Sequence, residues 1–542
     1  MKKSVVLVVI LFQILRGPIL LGQVVLTDSN LPIVTINTSG KTIVDDPKIT
    51  ADLRICQNPS GTTRPTDSAT VYFGKVGIET RGSTSQALSP KKPYSIEFRD
   101  ATGNGKDVAL FGSVKEADWA LIAPYSDKTL IRDALTYHLA SRIMAYAPKT
   151  FFCELLLNNV YQGVYVLTET VKRKRLDIAK LDSTVLTGDN LTGGYILKID
   201  KPTGNPTGVP SGFSSNYADA AGKNTFYQFH YPKPEDIKPA QVAYIKSQVQ
   251  AFENVMRSPQ FNDDKDGYAK YFDVNSLVDF WIMNEITRNV DGYRLSTYFY
   301  KDKNSLNPKF KMGPVWDFNI ALGNANYCNG GNRTGWAYLF NDACPADGWR
   351  IAFWWETLLS DKKFRRQIKT RWQYLRQNTL KTDRVFTVID SFSTLLNKPQ
   401  ERNFKKWDIL KTWIWPNAAV NNTYSNEIFY LKDWLDVRMR WMDNEIQAFQ
   451  VAEHPMTTTD FEVFPNPSVS TTNVRFAYYL FIDTDVELKI FNLSGQLISQ
   501  QKVTQFKGDN ELILKDNNLK GVFIYHLLRN GAIWYKGKLV KT

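Results

Sequence analysis

The stretch "GPVWDFNIALGNANYC", residues 313–328, decides how this chain is interpreted, because it presents an aspartate directly after a strand-like run. Asp317 follows a tryptophan, and Asn319 stands two positions further on. An aspartate at the end of a strand is a common turn former. It is also a residue that can hold a divalent cation. Both interpretations, a metal ligand and a turn residue, are open at this point.

A second aspartate strengthens the first of these interpretations. Asp291, in "NEITRNVDGYRLSTYFYKD", lies on a short loop between a predicted helix and a predicted strand. Two carboxylates at neighbouring strand ends can face one cleft. Phosphoryl transfer needs such a pair, because one carboxylate orients the attacking hydroxyl while another holds the magnesium that neutralises the phosphates.

An upstream loop offers groups that suit a polyphosphate. The run "GIETRGSTSQALSPKKPYSIEF" places Arg81 and Ser83 on a loop of small residues, followed by Lys91 and Lys92 at the start of the next strand. Free backbone amides and an anchored lysine are what triphosphate binding requires. The run lacks the Walker and G-x-G-x-x-G patterns, and a polar hairpin loop with solvated lysines is the alternative.

Length and composition predict a folded protein with more than one domain. The chain has 542 residues, 43% of them apolar, and 14 tryptophans, which excludes a disordered chain. We predict an α+β fold. Its predicted parts are a signal peptide at 1–22, a strand-rich lobe at 23–200, a helical lobe at 201–450, a linker at 451–461 and a small β-sandwich at 462–542.

Two helices of this plan are predicted in detail. Ser126 and Asp127 supply an N-cap for a helix with one buried stripe, and Asp273 can cap a second helix that ends around Asn289. The run "FRRQIKTRWQYLRQ" predicts a further amphipathic helix, with Ile368, Trp372 and Leu375 on its buried face.

The amino-terminal run and the charge bear on location and partners. "MKKSVVLVVILFQIL" has two lysines before a short apolar segment, which is typical of a secretory signal. The formal net charge of +13 favours anionic partners such as phosphates, nucleotides or acidic glycans. We expect an exported protein and no nucleic-acid partner.

The four cysteines predict at most local cross-links. Cys328 and Cys344 flank a Gly/Asn-rich loop and form the favoured pair, and Cys56 with Cys153 is the second pairing considered. Their spacing does not resemble a zinc site, and only four histidines are present, so a His/Cys metal centre is not expected.

Five motifs in a fixed order give the chain a family resemblance. The motifs are "RGSTSQALSPKKPYSIEF", "LIRDALTYHLA", "YQGVYVLTETVKRKRLDI", "NVDGYRLSTYFYKD" and "GPVWDFNIALG". With them, over about residues 30–450, the chain resembles the CotH family, which is named for a spore-coat protein and is similar in fold to protein kinases. The resemblance implies a two-lobed, kinase-like domain that uses ATP with Mg²⁺ or Mn²⁺ to phosphorylate a protein acceptor.

The resemblance also implies roles by position. Asp291 would be the catalytic aspartate and Asp317 the metal ligand, while Lys92 or Lys91 would neutralise phosphates. Glu169 would end the strand that faces adenine, an exposed strand-end carboxylate being the alternative. For Arg81 the alternative to a nucleotide contact is a structural turn residue.

The chain departs from the kinase and family patterns at two positions. Ser296 stands where the kinase catalytic loop has an asparagine, five residues after the catalytic aspartate. Asn319 stands where the family often repeats a carboxylate, so it would be an uncharged metal ligand. Both changes are expected to weaken metal binding.

The tail has a resemblance of its own. "FPNPS", "KIFNLSGQLI" and "GVFIYHLLRNGAIWYKGKLVK" resemble the type A C-terminal sorting domain of the type IX secretion system. This resemblance implies an immunoglobulin-like sandwich that engages the type IX machinery. It also implies a secreted protein or one held at the outer-membrane surface of a Gram-negative bacterium, with attachment to lipopolysaccharide as one possible outcome. An ordinary accessory sandwich is the alternative.

Three functions therefore compete. They are a secreted kinase-like phosphotransferase, a catalytically inactive CotH-type surface scaffold or adhesin, and a glycan-binding surface protein. Aromatic runs suggest the third function, although core packing explains such spacings more simply. The tryptophans concerned are Trp354, Trp355, Trp413 and Trp415.

Overall fold

Seven strands at the start of the described chain close into a barrel in the order β1-β2-β3-β4-β5-β7-β6, in this computed structural model. The barrel closes through parallel pairing of β1 with β6, in which Ile33 lies opposite Glu154. The sequence predicted strands here but not their closure. The strands are β1 (Ile33–Asn37), β2 (Ile49–Cys56), β3 (Tyr72–Thr80), β4 (Tyr94–Arg99), β5 (Asp118–Ile122), β6 (Thr150–Leu157) and β7 (Val160–Glu169).

The structure describes most of the chain, which divides into two compact units at residues 451 and 452. The described ranges are 24–182, 184–204, 208–449, 461–469, 473–480, 484–505, 508–514 and 519–542. The predicted signal peptide at 1–22 and residues 451–460 of the predicted linker lie outside these ranges. No helix in the described ranges is long and apolar enough to cross a membrane.

Two helices lie between barrel strands: α1 (Thr84–Leu88) and α2 (Arg132–Ala140). The predicted buried stripe of α2 is confirmed, since Leu135 and Leu139 are buried. The burial extends further than predicted, because the helix is covered on almost every side and His138 alone in it is not buried. The predicted cap is also displaced. Asp127 lies five residues before the helix, where its Oδ2 accepts a hydrogen bond of 2.9 Å from the Arg132 backbone.

A second, antiparallel sheet follows in the order β12-β11-β8-β10-β9. In its centre β11 pairs with both β8 and β12, so that Thr297 lies opposite Ile199 and Phe299 lies opposite Met312. The sheet therefore joins segments on both sides of residue 200. Its strands are β8 (Tyr195–Ile199), β9 (Gly212–Ala218), β10 (Asn224–Tyr231), β11 (Thr297–Lys301) and β12 (Phe310–Met312).

Helices pack around this sheet, and two sequence predictions for them are confirmed. The side chain of Asp273 caps α5 by accepting a 3.1 Å hydrogen bond from the Ser276 backbone. Helix α8 buries the predicted stripe that includes Ile368 and Trp372. The helices are α3 (Asp189–Thr192), α4 (Pro239–Met256), α5 (Val274–Thr287), α6 (Phe340–Ala343), α7 (Trp354–Ser360), α8 (Lys362–Gln377), α9 (Thr382–Leu395), α10 (Asn397–Lys406) and α11 (Tyr424–Gln447).

One of the two considered cysteine pairings is present. Cys328 and Cys344 form a disulfide, as predicted, with a Cα–Cα distance of 5.3 Å. Cys56 and Cys153 are free and buried, so the second pairing was wrong. Strand β1 lies between β2, which carries Cys56, and β6, which carries Cys153. Two strand spacings amount to about 10 Å, which exceeds the reach of a disulfide.

The second unit consists of two antiparallel sheets around one apolar core. One sheet has the order β13-β14-β17 and the other β16-β15-β18-β19. Alternate residues of β15, including Val486 and Leu488, point into the core, as the alternating sequence predicted. The strands are β13 (Phe461–Phe464), β14 (Val474–Leu480), β15 (Thr484–Phe491), β16 (Leu497–Gln505), β17 (Gly508–Leu514), β18 (Gly521–Arg529) and β19 (Ala532–Lys541).

Candidate active site

Three aspartates meet at one edge of the second sheet. Because β11 runs antiparallel to both neighbours, its start lies beside the ends of β8 and β12. Asp200 follows β8, Asp291 lies on the loop that leads into β11, and Asp317 follows β12. The sheet topology thus brings together the two predicted carboxylates and adds a third.

Asp291 is held by a buried arginine. Arg294 Nη2 donates a hydrogen bond of 2.9 Å to Asp291 Oδ1, and its Nη1 lies 3.3 Å from Asp347 Oδ1. The guanidinium stacks 3.8 Å from the Phe340 ring centroid. Burial raises the pKa of Asp291, and the charge of Arg294 opposes this change. The carboxyl is therefore fixed in orientation and made more basic.

Asp317 has a left-handed backbone that α2 holds in place. Its φ is +64°, and its backbone N–H donates a 2.9 Å hydrogen bond to Tyr137 Oη. The side chain is exposed to solvent. The surrounding protein, and then the charges of Asp291 and Asp200, raise the pKa of Asp317 to about 6. Concentrated negative charge of this kind favours a cation.

A fourth carboxylate lies beneath this group. Asp133 Oδ1 accepts a 2.7 Å hydrogen bond from the Phe318 backbone N–H. Burial, and then the charge of Asp317, raise the pKa of Asp133 to about 8. Asp133 therefore supports the segment that carries Asp317 rather than facing the cleft itself.

Two cations lie beside the aspartates. The Arg81 guanidinium lies 5.2 Å from the Trp316 ring centroid, next to Asp317 in the chain. Its Nη1 is buried and has no hydrogen-bond partner within the described residues. Lys201 follows Asp200, and its Nζ lies 3.5 Å from Thr84 Oγ1. The site thus combines carboxylates with positive groups, and the loop that follows β3 lies next to it.

The two lysines predicted to neutralise phosphates, Lys91 and Lys92, form hydrogen bonds within the protein instead. Lys91 is buried, and its Nζ donates to Val164 O at 2.6 Å and to Asn403 Oδ1 at 2.9 Å. Lys92 Nζ donates to the backbone carbonyl of Gln86 in α1. The structure therefore does not bring Lys91 into the cleft.

Ser83, Asn319 and Glu169 complete the predicted set. Ser83 is exposed at the start of α1, in the loop beside Lys201. Asn319 is partly exposed, two residues after Asp317. Glu169 is buried and accepts hydrogen bonds from Tyr146 Oη at 2.9 Å and from the Lys149 backbone at 3.0 Å. Glu169 ends β7, but its side chain is not exposed there, so the alternative of an exposed strand-end carboxylate was wrong.

Sequence reasoning missed several residues of this site. Asp200 and Lys201 end the run "GGYILKIDK", and Asp133 and Tyr137 lie in "LIRDALTYHLA". A signal for Asp200 was present, since an aspartate directly after a β-branched run is the same pattern that identified Asp317. No local signal shows that α2 packs under residue 317.

Residues 78–442 match the CotH kinase protein family, which is more than half of the chain. The chain belongs to the CotH kinase protein family. The predicted CotH resemblance is thereby confirmed, and the matched range contains all the site residues described above. Its α+β composition, also predicted, is confirmed by the sheets and helices.

The tail matches a second family. Residues 462–542 match the secretion system C-terminal sorting domain, which confirms the predicted sorting tail. A type IX sorting tail indicates that this CotH protein is secreted or displayed at the cell surface and interacts with the type IX secretion machinery.

Other comparisons add no functional argument. No curated protein matches the chain. An immunoglobulin-like protein from Pseudomonas aeruginosa aligns at 13% identity, covering 15% of this chain and 90% of its own, with a TM-score of 0.12. The Pseudomonas fluorescens alkylpurine DNA glycosylase AlkC, bound to DNA with an abasic site analog, aligns at 12% identity. It covers 38% of this chain and 63% of its own, with a TM-score of 0.12.

The donor set determines which metal the site suits. Within the described ranges, no group of three or more His, Cys, Asp or Glu side chains is arranged to hold a metal ion. Magnesium commonly takes one or two protein oxygens and completes its shell with water and phosphate. The carboxylate of Asp317 and the amide oxygen of Asn319 suit such a site, and the unpartnered Arg81 Nη1 beside them suits an anionic ligand.

Proposed function

We propose that this chain is a secreted or cell-surface CotH-like protein kinase that transfers the γ-phosphate of ATP to a hydroxyl of a protein acceptor. The convergence of Asp291 and Asp317 at one sheet edge carries the proposal, since the charge of Asp291 reaches Asp317 strongly enough to raise its pKa. In this proposal the barrel and the helical part correspond to the two lobes of a kinase.

Each residue of the site has its own role in the proposed reaction. Asp317 and Asn319 would hold Mg²⁺ or Mn²⁺, which neutralises the phosphate oxygens when bound. Asp291 Oδ1 accepts a hydrogen bond from Arg294. Asp291 Oδ2 is therefore the oxygen that would take the proton of the acceptor hydroxyl. The acceptor oxygen then bonds to the γ-phosphorus as the bond to the β-phosphate oxygen breaks and ADP leaves. The raised pKa of Asp291 suits it to accept that proton.

The test measures the binding of Mg-ATP and the transfer of its γ-phosphate separately. Purified protein is incubated with Mg-ATP, thermal stabilisation is recorded, and transfer of labelled γ-phosphate to itself or to a generic protein acceptor is measured. Asp291→Asn is expected to keep the stabilisation and to lose transfer by about 10²- to 10⁴-fold. Asp436→Asn, on α11, is the matched control and should transfer normally. Undiminished transfer by Asp291→Asn would contradict the proposed role.

A second candidate is a catalytically inactive surface adhesin that binds glycans. Trp413 and Trp415 are 52% and 42% exposed, and Trp415 stacks on Tyr327 with a centroid distance of 5.8 Å. Exposed aromatic faces of this kind stack on sugar rings. Trp354 and Trp355 are buried, so only half of the predicted set supports this function. Retention on immobilised polysaccharide that is lost in Trp413→Ala and Trp415→Ala, without any response to Mg-ATP, would favour it.

The proposal also covers the fold of the tail and its role in placing the protein at the cell surface. The two packed sheets of the second unit support an immunoglobulin-like sandwich. We propose that this sandwich directs the protein to the outer-membrane surface of a Gram-negative bacterium, where attachment to lipopolysaccharide would retain it. Mass spectrometry of the tail from surface-exposed protein tests the attachment, since unmodified and uncleaved tails would contradict it.

A further inference from the structure

We propose that Lys201 and Arg81 form the cationic wall of the polyphosphate site, and that Lys201 rather than Lys91 or Lys92 is the lysine that binds the phosphate chain. This inference rests on the proposed function, because the cleft is taken to receive a nucleotide. It adds a binding residue that the sequence motifs did not indicate.

The first observation is the position of Lys201 in the fold. It follows β8 directly, at the sheet edge where Asp291 and Asp317 also lie. Lys201 is therefore near both proposed reaction carboxylates.

The second step concerns the loop after β3. Lys201 Nζ lies 3.5 Å from the hydroxyl oxygen of Thr84, a long hydrogen bond near the limit for such contacts. Thr84 is the first residue of α1, directly after the small-residue loop in which Gly82 has a φ of +88°. The ammonium thus lies beside the end of this loop, on a residue that directly follows Asp200, and it could contact a phosphate chain bound there.

Arg81 supplies an independent observation. Its side chain is fixed over Trp316, yet its buried Nη1 has no hydrogen-bond partner within the described ranges. An unsatisfied buried donor is costly, and a charged one more so. A phosphate oxygen would satisfy it, since guanidinium groups bind phosphate with directed hydrogen bonds.

The two lysines from the sequence motif are bound elsewhere. Lys91 Nζ is enclosed by Val164 O, Asn403 Oδ1 and Pro124 O, and burial lowers its pKa to about 7. Lys92 Nζ is bonded to the carbonyl of Gln86. Either lysine would have to break these bonds to reach a phosphate.

The experiment compares three variants with the wild type by isothermal titration. Lys201→Met, Lys201→Arg and Lys92→Met are each titrated with Mg-ATP, with magnesium tripolyphosphate and with adenosine. Lys201→Met is expected to weaken both polyphosphate ligands at least tenfold and to leave adenosine unchanged. Lys201→Arg should keep most of the affinity because it keeps the charge, and Lys92→Met should resemble the wild type. Circular dichroism of each variant checks folding.

The outcomes separate this inference from the proposed function. If the wild type binds Mg-ATP and Lys201→Met binds it equally well, the inference falls and the proposed function stands. If the wild type binds tripolyphosphate through Lys201 but transfers no phosphate from ATP, the proposed function falls and the inference stands. A loss in Lys92→Met that equals the loss in Lys201→Met, or no binding of any polyphosphate by the wild type, would overturn the inference.

Discussion

The backbone N–H of Phe318 donates a 2.7 Å hydrogen bond to Oδ1 of Asp133, a buried residue of α2. One residue earlier, the N–H of Asp317 donates to Tyr137 Oη on the same helix. A helix inserted between barrel strands therefore fixes the segment that carries the proposed metal ligand. The geometry of the site depends on this helix as well as on the sheet.

Substitution of Asp133 should separate its hydrogen bond from its charge. Asp133→Ala leaves the Phe318 N–H without an acceptor, which is expected to cost about 1–3 kcal/mol in the free energy of unfolding. Asp133→Asn keeps an acceptor oxygen and removes a buried carboxyl, so its cost should be smaller. Urea unfolding of the two variants measures the difference. Equal losses would show that the hydrogen bond contributes little.

Substitution at Asp317 should remove metal-dependent nucleotide binding. Asp317→Asn is the sharper variant, because asparagine tolerates the left-handed backbone at φ +64°. We expect it to lose most of the thermal stabilisation by Mg-ATP while folding normally. Asp317→Ala should lose the same response and also about 1–2 kcal/mol of stability, through its backbone preference. An unchanged Mg-ATP response in Asp317→Asn would refute the assignment.

Two arginines of α11 provide a matched test of buried charge. Arg438 pairs with Glu285 at 3.2 Å, and both side chains are fully buried. Arg438→Met leaves that carboxylate without its cation, which is expected to cost about 3–5 kcal/mol. Arg440 pairs with Asp436 at the surface, and Arg440→Met should cost less than about 1 kcal/mol. Chemical denaturation should give this ranking, and similar losses would contradict it.

Lys91 should make stability depend on pH. Burial lowers its pKa in the folded state to about 7, from 10.5 for an exposed lysine. Between these values the unfolded chain binds the proton and the folded chain does not, so stability should rise with pH. The rise from this group is at most about 1.4 kcal/mol per pH unit.

Lys91→Met should lack this contribution. The difference in unfolding free energy between wild type and variant is therefore expected to grow in favour of the wild type between pH 7 and 9. Lys92→Met serves as the control and should follow the wild-type curve. A difference that stays constant with pH would contradict the expected titration.

The sequence could predict those features of the fold that depend on residues close together in the chain. The cap at Asp273 and the stripe of α8 depend on residues a few positions apart, and both are confirmed. Closure of the barrel pairs β1 with β6, which are more than 100 residues apart in the chain. The periodicity of a sequence does not indicate which distant strand will be the partner. The predicted Cys56–Cys153 pairing was wrong for the same reason, because the order of the strands that carry the two cysteines is also set by long-range pairing.

The candidate site was predictable where motifs mark it. Asp291, Asp317 and Arg81 were all named from ordered motifs. The second sheet brings Asp291 and Asp317 to one edge, and Arg81, which follows β3 of the barrel, lies over Trp316. Lys91 and Lys92 are neighbours in the loop before β4, so composition alone could not show which of them is buried. Lys201 was missed because the packing of the loop beside it is a long-range contact.

The parallel pairing of β1 with β6 has a consequence for association between copies of this protein. Because the circle of strands is complete, none of its members offers an open row of amide and carbonyl groups to another molecule. Neighbouring copies are thereby protected, over this part of the chain, from joining one another strand to strand.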